Sequence, residues 1–379
     1  MTDMDPTVLV IDTAPEYVEE NRWRRLGEMV ILYVLSIGGA VAVSGLLVAV
    51  TGNSWIQMFK ALLDGAFLAP GRWGDTLVIA APMLLVALGM VVGVKAGFFN
   101  IGQEGQLLMG ALAMAWVGTK LAGPGPLLLV LGLVMAFAAG GGYAGLSAIM
   151  RFRRGVPEVI STLLLVFIAL QIVGYAVTTD WLLRDLDATG PSRAISSAAL
   201  GEDTRLPVIR IFGNEFNLGI LIGVVLALIL AFALTRTVWG FRIRLLGHNP
   251  NVAQKIGVSA RRTGSLALFL SGGFAGLAGA VMLTGGSSGF RLTTGFSQNI
   301  GWQGLLVALL AASRPLVAIP MAVLFAALRT GSGFLAATGV DRKIVDVVQA
   351  LLLLALLVPP AIQFIRDRKK ARARATREA

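Results

Sequence analysis

Long apolar runs, most of them near 20 residues, follow one another along most of this 379-residue chain, and they constrain its fold more than any motif does. About 20 helical residues at about 1.5 Å each cross a hydrocarbon core of about 30 Å. Inside that core every backbone N–H and C=O has to find a partner within the protein, and a helix supplies one for each. With 56% hydrophobic residues, 14% charged residues and a mean hydropathy of +0.78, the chain reads as all-α and polytopic in a membrane.

Taken in order, the runs predict ten spans: Met29–Val50, Leu77–Gly97, a third ending near Lys120, Leu127–Met150, Val159–Thr178, Leu218–Leu234, Ser265–Thr284, Asn299 to near Arg314, Leu316–Leu328 and Ile344–Ile365. Trp55, Ile56, Phe59, Leu62, Leu63 and Phe67 fall near one helical face and predict a short amphipathic helix at the surface. This divides the chain into an N-terminal tail (1–27), a transmembrane domain (28–365) and a basic C-terminal tail (366–379). The longest polar connections are 179–215 and 236–262. Ten spans put both termini on one side. Roughly two-thirds of the 32 lysines and arginines fall there, which makes that side cytoplasmic, 236–262 a cytoplasmic loop and 179–215 an extracytoplasmic one. The net charge of +11 is thus topological and gives no reason to expect a nucleic-acid partner. There is no cysteine, hence no disulfide framework and no thiolate metal site. The first 27 residues show no apolar core followed by a cleavage site, so no cleavable signal peptide is expected.

One stretch breaks the apolar pattern. Gly97 to Gly110, GFFNIGQEGQLLMG, holds Asn100, Gln103, Glu104 and Gln106 within seven positions, with Gly102 and Gly105 among them. A charge and three amides at membrane depth mark a functional site by default. Glycines at this density let backbone leave helical geometry or pack very closely. The stretch reads as a broken or tightly packed helix start beside a pathway, against the plainer alternative of a solvated turn. An echo lies downstream in GFSQNIGWQGLLVALL (295–310), where Asn299, Gly301 and Gly304 match Asn100, Gly102 and Gly105. In the predicted topology the first motif opens a helix running outward and the second one running inward. GVPEVISTLLLVFIAL from Gly155 similarly echoes GVDRKIVDVVQALLLL from Gly339. The spans therefore read as two inverted five-helix repeats, a plan recurrent in transporters, with the helix breaks at the pathway.

The chain carries no G-x-x-x-x-G-K-[ST] phosphate loop, so it does not cradle ATP by that route. Loop 236–262, TRTVWGFRIRLLGHNPNVAQKIGVSARR in its setting, has room for two short helices about the Gly247-His248-Asn249-Pro250 turn, with Ala253, Ile256 and Val258 as an apolar face. A structured basic loop suits docking onto a soluble partner. His248, the sole histidine, reads as a turn residue, since nothing is spaced to make it a ligand or a base.

The strings GFFNIGQEGQLLMGA, VPEVISTLL, RLLGHNPNVAQKIGV and LALFLSGGFAGLAGAVM, in that order, resemble the permease subunits of bacterial ABC importers over about residues 75–360. The branch they resemble most serves nucleosides and simple sugars and works with basic-membrane-protein-type binding lipoproteins. That resemblance implies a bacterial inner-membrane location and, as partners, a cytoplasmic ABC ATPase, a second and different permease, an extracytoplasmic binding lipoprotein and membrane lipid. It also implies alternating access, and that GHNPNVAQKIGV is the coupling segment, with Arg244, Gly247, Asn249, Ala253 and Gly257 as its key residues. The chain departs from the pattern at Pro157, where relatives often carry Asn, and at Val166-Phe167, where they carry Asn-Tyr.

The expected pathway residues are Phe98, Asn100, Gln103, Glu104, Asn299, Trp302 and Gln303, whose amides would offer weak, reversible hydrogen bonds to a polar neutral solute. Two alternatives stand beside this. The amides serve as helix–helix glue, at about 0.6 kcal/mol per bond, and Glu104 caps the start of its own span. Rival functions are a secondary transporter with Glu104 as its proton site and a non-transporting scaffold. No nucleophile–base pair, metal cluster or cofactor motif points to an enzyme.

Overall fold

Small residues decide which helix sits at the centre. The computed structural model describes residues 22–186 apart from Thr51 and Asn53, residues 195–335, and most of 347–366. In it α10 (Ala260–Thr284) is buried from Ser271 to Thr284 and packs on α3 (Arg72–Lys95), α4 (Gln103–Lys120) and α5 (Gly125–Arg154). The approach is backbone to backbone. A Cβ added at Gly276 would lie 2.2 Å from the Ala136 carbonyl oxygen, and one at Gly110 would lie 2.1 Å from that of Gly276. Lipid tails are as apolar as leucine, so close packing of this kind, rather than hydrophobic exclusion, holds such helices together.

Helix α3 is itself buried from Ala80 to Gly93 and packs on α7 (Gly219–Arg236), α11 (Ile300–Leu310) and α12 (Pro315–Leu335) as well as α10. The outer helices α1 (Arg22–Val50) and α6 (Glu158–Thr178) expose Leu35, Leu46, Leu164 and Phe167, as a lipid-facing surface requires. Among the described residues seven helices are long and apolar enough to cross a membrane: α1, α3, α5, α6, α7, α10 and α12. Two of the ten expected spans fall short by length or hydropathy, α4, polar in its first turn, and the 11-residue α11; the tenth, Ile344–Ile365, is described only in part, with an apolar helical segment at Ala350–Gln363. Helix α1 begins at Arg22, inside the expected tail, and α12 runs on to Leu335, past the expected Leu328. Residues 339–346, with which the echo from Gly339 begins, lie outside the described residues.

Two connections differ from expectation. The amphipathic helix α2 (Trp55–Leu63) continues as a π-helical turn, Asp64–Leu68, packs on α12 and buries Met58, Ala61 and Leu62. The expected single apolar face is split, since Trp55, Ile56 and Leu63 stay exposed. The polar connection after α6 is not featureless. It holds a hairpin, β1 (Val208–Ile211) with β2 (Asn214–Asn217), in register Val208 to Asn217 and Ile211 to Asn214. Phe212 and Gly213 form its two-residue turn, both at positive φ, as a tight hairpin demands. The same connection is fastened to the segment after α10. Ser197 N–H donates to Leu292 O at 2.8 Å, Leu206 N–H to Thr284 O at 3.1 Å, and Asp185 pairs with Arg291.

The packing of α10 predicts a contrast. Gly276→Val has no room and is expected to lower folded yield and thermal stability, by at least the ~1–3 kcal/mol typical of overpacking. Gly142→Ala, where an added methyl meets nothing within 4 Å, is expected to leave the unfolding temperature unchanged or raised. Thermal unfolding in detergent followed by size exclusion reads both.

Candidate translocation site and coupling loop

The polar stretch starts where α3 stops. Gly97, at φ 84°, is the left-handed residue that ends the helix; its N–H donates to Val94 O at 3.0 Å and the next N–H, of Phe98, to Gly93 O at 2.9 Å. The chain then turns through Asn100 into α4. Asn100 and Gln106 join through both amides, Nδ2 to Oε1 at 2.8 Å and Nε2 to Oδ1 at 3.0 Å. Asn100 Nδ2 also donates to Ser271 Oγ at 2.9 Å, and Asn100 Oδ1 accepts the Gly102 N–H at 3.1 Å. Gln103 Nε2 donates to Val86 O at 3.0 Å, while its Oε1 is buried without a hydrogen-bond partner.

Glu104 is 4% exposed. Its Oε2 accepts the Gly301 N–H at 2.7 Å, and the Ser297 hydroxyl and the backbone of Asn299 and Trp302 lie close to the carboxylate. It therefore caps the N-terminus of α11 and not that of its own helix, the arrangement in which helix N–H groups and dipole favour an anion. Gln298 and Asn299, both at positive φ, bend the chain into α11. A Cβ at Gly301 would lie 2.5 Å from the Glu104 Cα, so the two echoing motifs meet face to face.

The other side of α11 meets a cation. Arg329 of α12 donates from Nη1 to Gln303 Oε1 at 2.7 Å and to Gln298 O at 3.0 Å, and from Nη2 to Gln298 Oε1 at 2.7 Å. Arg329 also lines a cavity of about 660 Å³, with Arg72, Asp75, Ile79, Phe290 and Thr330.

The seven expected pathway residues thus separate. Asn100, Gln103 and Glu104 form the buried cluster. Gln303 holds Arg329 at the cavity, Trp302 is half-buried beside it in sequence, and Asn299 is exposed. Phe98 is buried against Phe152, edge to face at 5.7 Å, and belongs to neither group. Sequence reasoning missed Ser271, Ser297 and Arg329. The two serines carry no signal among so many small residues. Arg329 carries one, a lone arginine continuing an apolar helix, one residue past the expected end of that span at Leu328.

Loop 236–262 folds into two short helices, α8 (Val238–His248) and α9 (Pro250–Lys255). Asn249 caps α9, its Oδ1 accepting the Val252 N–H at 3.1 Å, with Pro250 in the first turn. Gly257, at φ 84°, ends it: Gly257 N–H donates to Gln254 O at 3.1 Å and Val258 N–H to Ala253 O at 2.9 Å, with Ala253 and Val258 both buried. Ile256, expected on that apolar face, is exposed. Gly247 lies against the end of α3, where an added Cβ would be 2.3 Å from Lys95 O. Arg244 is half-buried, with its Nε 3.4 Å from Gly240 O.

Over residues 72–357 the sequence matches the family described as branched-chain amino acid transport system / permease component. The chain belongs to this family of membrane permeases. It is 32% identical to the guanosine ABC transporter permease NupP of Bacillus subtilis, over 92% of this chain and 98% of that one. It is 31% identical to the glucose ABC transporter permease TsgB13 of Haloferax volcanii, over 86% of each. A second Bacillus subtilis protein, the guanosine ABC transporter permease NupQ, is 29% identical over 54% of this chain and 65% of its own length. No solved structure matches the permease.

In the permease Glu104 and α11 stabilise one another, which predicts graded losses. Glu104→Ala leaves Gly301 N–H buried without its acceptor, at a cost of about 1–3 kcal/mol. Glu104→Gln keeps one acceptor oxygen and is expected to cost less. Denaturation midpoints of the two variants against the parent check the order Ala below Gln below Glu.

Proposed function

We propose that this permease is the membrane half of an ATP-binding cassette importer that brings a nucleoside or a simple sugar into the cytoplasm. The observation that carries this is the match to a guanosine permease along nearly the whole of both chains, supported by the glucose permease. Two different guanosine permeases of one organism both resemble this chain, which supports a second, non-identical permease beside it. The remaining partners are a cytoplasmic ATPase and an extracytoplasmic binding lipoprotein, with both termini of this chain in the cytoplasm of a bacterial inner membrane.

In this reading α8 and α9 dock on the ATPase. Val252 and Ile256 offer it exposed apolar side chains, and Arg242, Lys255 and Arg261 supply charge around them. The docked helices connect inward: Gly247 touches the end of α3 and Gly97, and Gly97 leads directly into the Asn100–Glu104 cluster that caps α11. ATP-driven closure of the ATPase would thereby act on the turn between α3 and α4 and on α11, alternating the side to which the pathway opens. Asn299, Trp302 and Gln303 border that pathway, and the buried Asn100, Gln103 and Glu104 brace the helices beside it.

A gentle detergent pull-down of the full-length chain with mass spectrometry tests the reading. An ATPase and a second permease are expected in the eluate. Gly257→Val, which puts a branched side chain at a left-handed position, is expected to lose the ATPase while leaving the second permease bound. Uptake in vesicles should require ATP and withstand an uncoupler. Recovery of this chain alone, with uptake driven by a proton gradient, would remove the importer from consideration.

A further inference from the structure

The cavity beside Arg329 has the features of a recognition site, and its chemistry narrows the ligand. It is built where the first turns of α3, the segment after α10 and the last turns of α12 converge, the outer side in the predicted topology. Its volume of about 660 Å³ falls in the range of small-molecule sites, which is about 300–1,000 Å³. Arg329 stands on its wall, fixed by three hydrogen bonds to Gln298 and Gln303. A guanidinium carries five N–H donors. Two on Nη1 and one on Nη2 are engaged, which leaves Nε–H and one Nη2–H, a fork suited to two adjacent acceptors.

Arg72 and Asp75 pair with each other at 2.9 Å, so their charges offset, and Arg329 is held by the carbonyl and amide oxygens of Gln298 and Gln303. The wall thus offers directed donors to a polar neutral solute of the proposed cargo class. The rest of the wall suits a flat apolar face. Val78, Ile79 and Phe290 line it. Phe290 is held in a left-handed conformation at φ 60°, with the Arg205 guanidinium 4.0 Å over its ring. Backbone strain of that kind persists only where the surroundings enforce it, and it collects at ligand sites.

We propose that this cavity is a binding site for a purine nucleoside, with Arg329 donating to the adjacent O6 and N7 acceptors of a guanine-type base. That edge is the acceptor pair an arginine fork matches best among the bases. The vicinal hydroxyls of a simple sugar accept only as groups that also donate and lie on a ring that is not flat, and adenine replaces one acceptor of the pair by a donor. The proposal rests on the importer reading for its cargo class and goes beyond it in choosing nucleoside over sugar and in naming the residue that chooses.

Saturation-transfer NMR on the full-length chain in nanodiscs of neutral lipid tests it, with guanosine, 7-deazaguanosine (which keeps O6 and lacks N7) and glucose as probes. Guanosine is expected to bind about tenfold more tightly than 7-deazaguanosine, the discrimination one good contact of a bidentate pair supplies, and glucose should not displace it. Arg329→Lys keeps the charge and removes the fork, and should abolish the preference for guanosine. Gln298→Ala leaves the arginine but releases it, and should reduce the preference, which keeps the test sound if the lysine variant does not fold. Equal binding of guanosine and 7-deazaguanosine, an undiminished preference in both variants, or displacement of guanosine by glucose would overturn the assignment. Guanosine preference without ATP-driven uptake would support this site while removing the importer reading, so the two fail separately.

Discussion

The bond from Gly301 N–H to the Glu104 carboxylate is the contact on which the interior depends. A carboxylate buried alone costs several kcal/mol after all relaxation. A helix that begins inside a protein leaves its first four N–H groups without partners. Here each problem is the other's solution. Glu104 enters α4 from one half of the chain and α11 starts in the other, 197 residues apart, yet their first turns touch. The helix dipole contributes up to about 2 kcal/mol in a partly buried setting, and the explicit hydrogen bonds contribute the rest. The left-handed residues Gln298 and Asn299, which aim α11 at Glu104, cost about 1–3 kcal/mol each. That strain is held in place by the Glu104 carboxylate on one side and by Arg329 on the other.

The contacts around that bond are of two kinds. Where α10 meets α4 and α5, glycine lies on backbone with no space between, and sliding would create either overlap or voids. That unit is stiff. Around α11 close glycine packing, Gly301 on Glu104 and Gly304 on Met83 and Val86, is joined by hydrogen bonds from long side chains: Glu104 on one flank, Gln298 and Gln303 to Arg329 on the other. The side-chain bonds add to the packing of α11 the polar partners that a helix starting inside the protein requires.

Most of the helices were legible from the sequence because a span is specified by many residues at once. No single substitution hides a run like Val159–Thr178. The two short helices of loop 236–262 were legible too, since Asn249-Pro250 and Gly257 are local signals for a start and a stop, and each does that job. What escaped was set by contacts distant in the chain. Glu104 could be recognised as a capping residue, but the helix it caps is identified only when the two halves are folded together. Gly97 continues the four-residue spacing of Gly89 and Gly93, a pattern that suits close packing along a helix; its positive φ makes it the end of the helix instead. The hairpin turn Phe212-Gly213 lacks the Asn-Gly signature that announces such turns, and its strands are four residues each, too short for alternation to show.

The polarity of the stretch from Asn100 to Gln106 follows from the breaks in the helices. Asn100 Oδ1 takes the Gly102 N–H, an amide left over at the start of α4, as Glu104 takes one left over at the start of α11. Gln106 then holds Asn100 in place through both of its amide atoms. In hydrocarbon an unpartnered backbone group costs several kcal/mol, so irregular backbone at this depth demands side chains of this type beside it. The cluster is accordingly closed on itself and buried, whereas the polar groups that meet open space are Arg329 and its wall, one helical layer away. A lone charge in a span is therefore ambiguous by itself. Glu104 is present because the chain is broken, and the break in turn brings Gln298 and Gln303 to the arginine that faces the cavity.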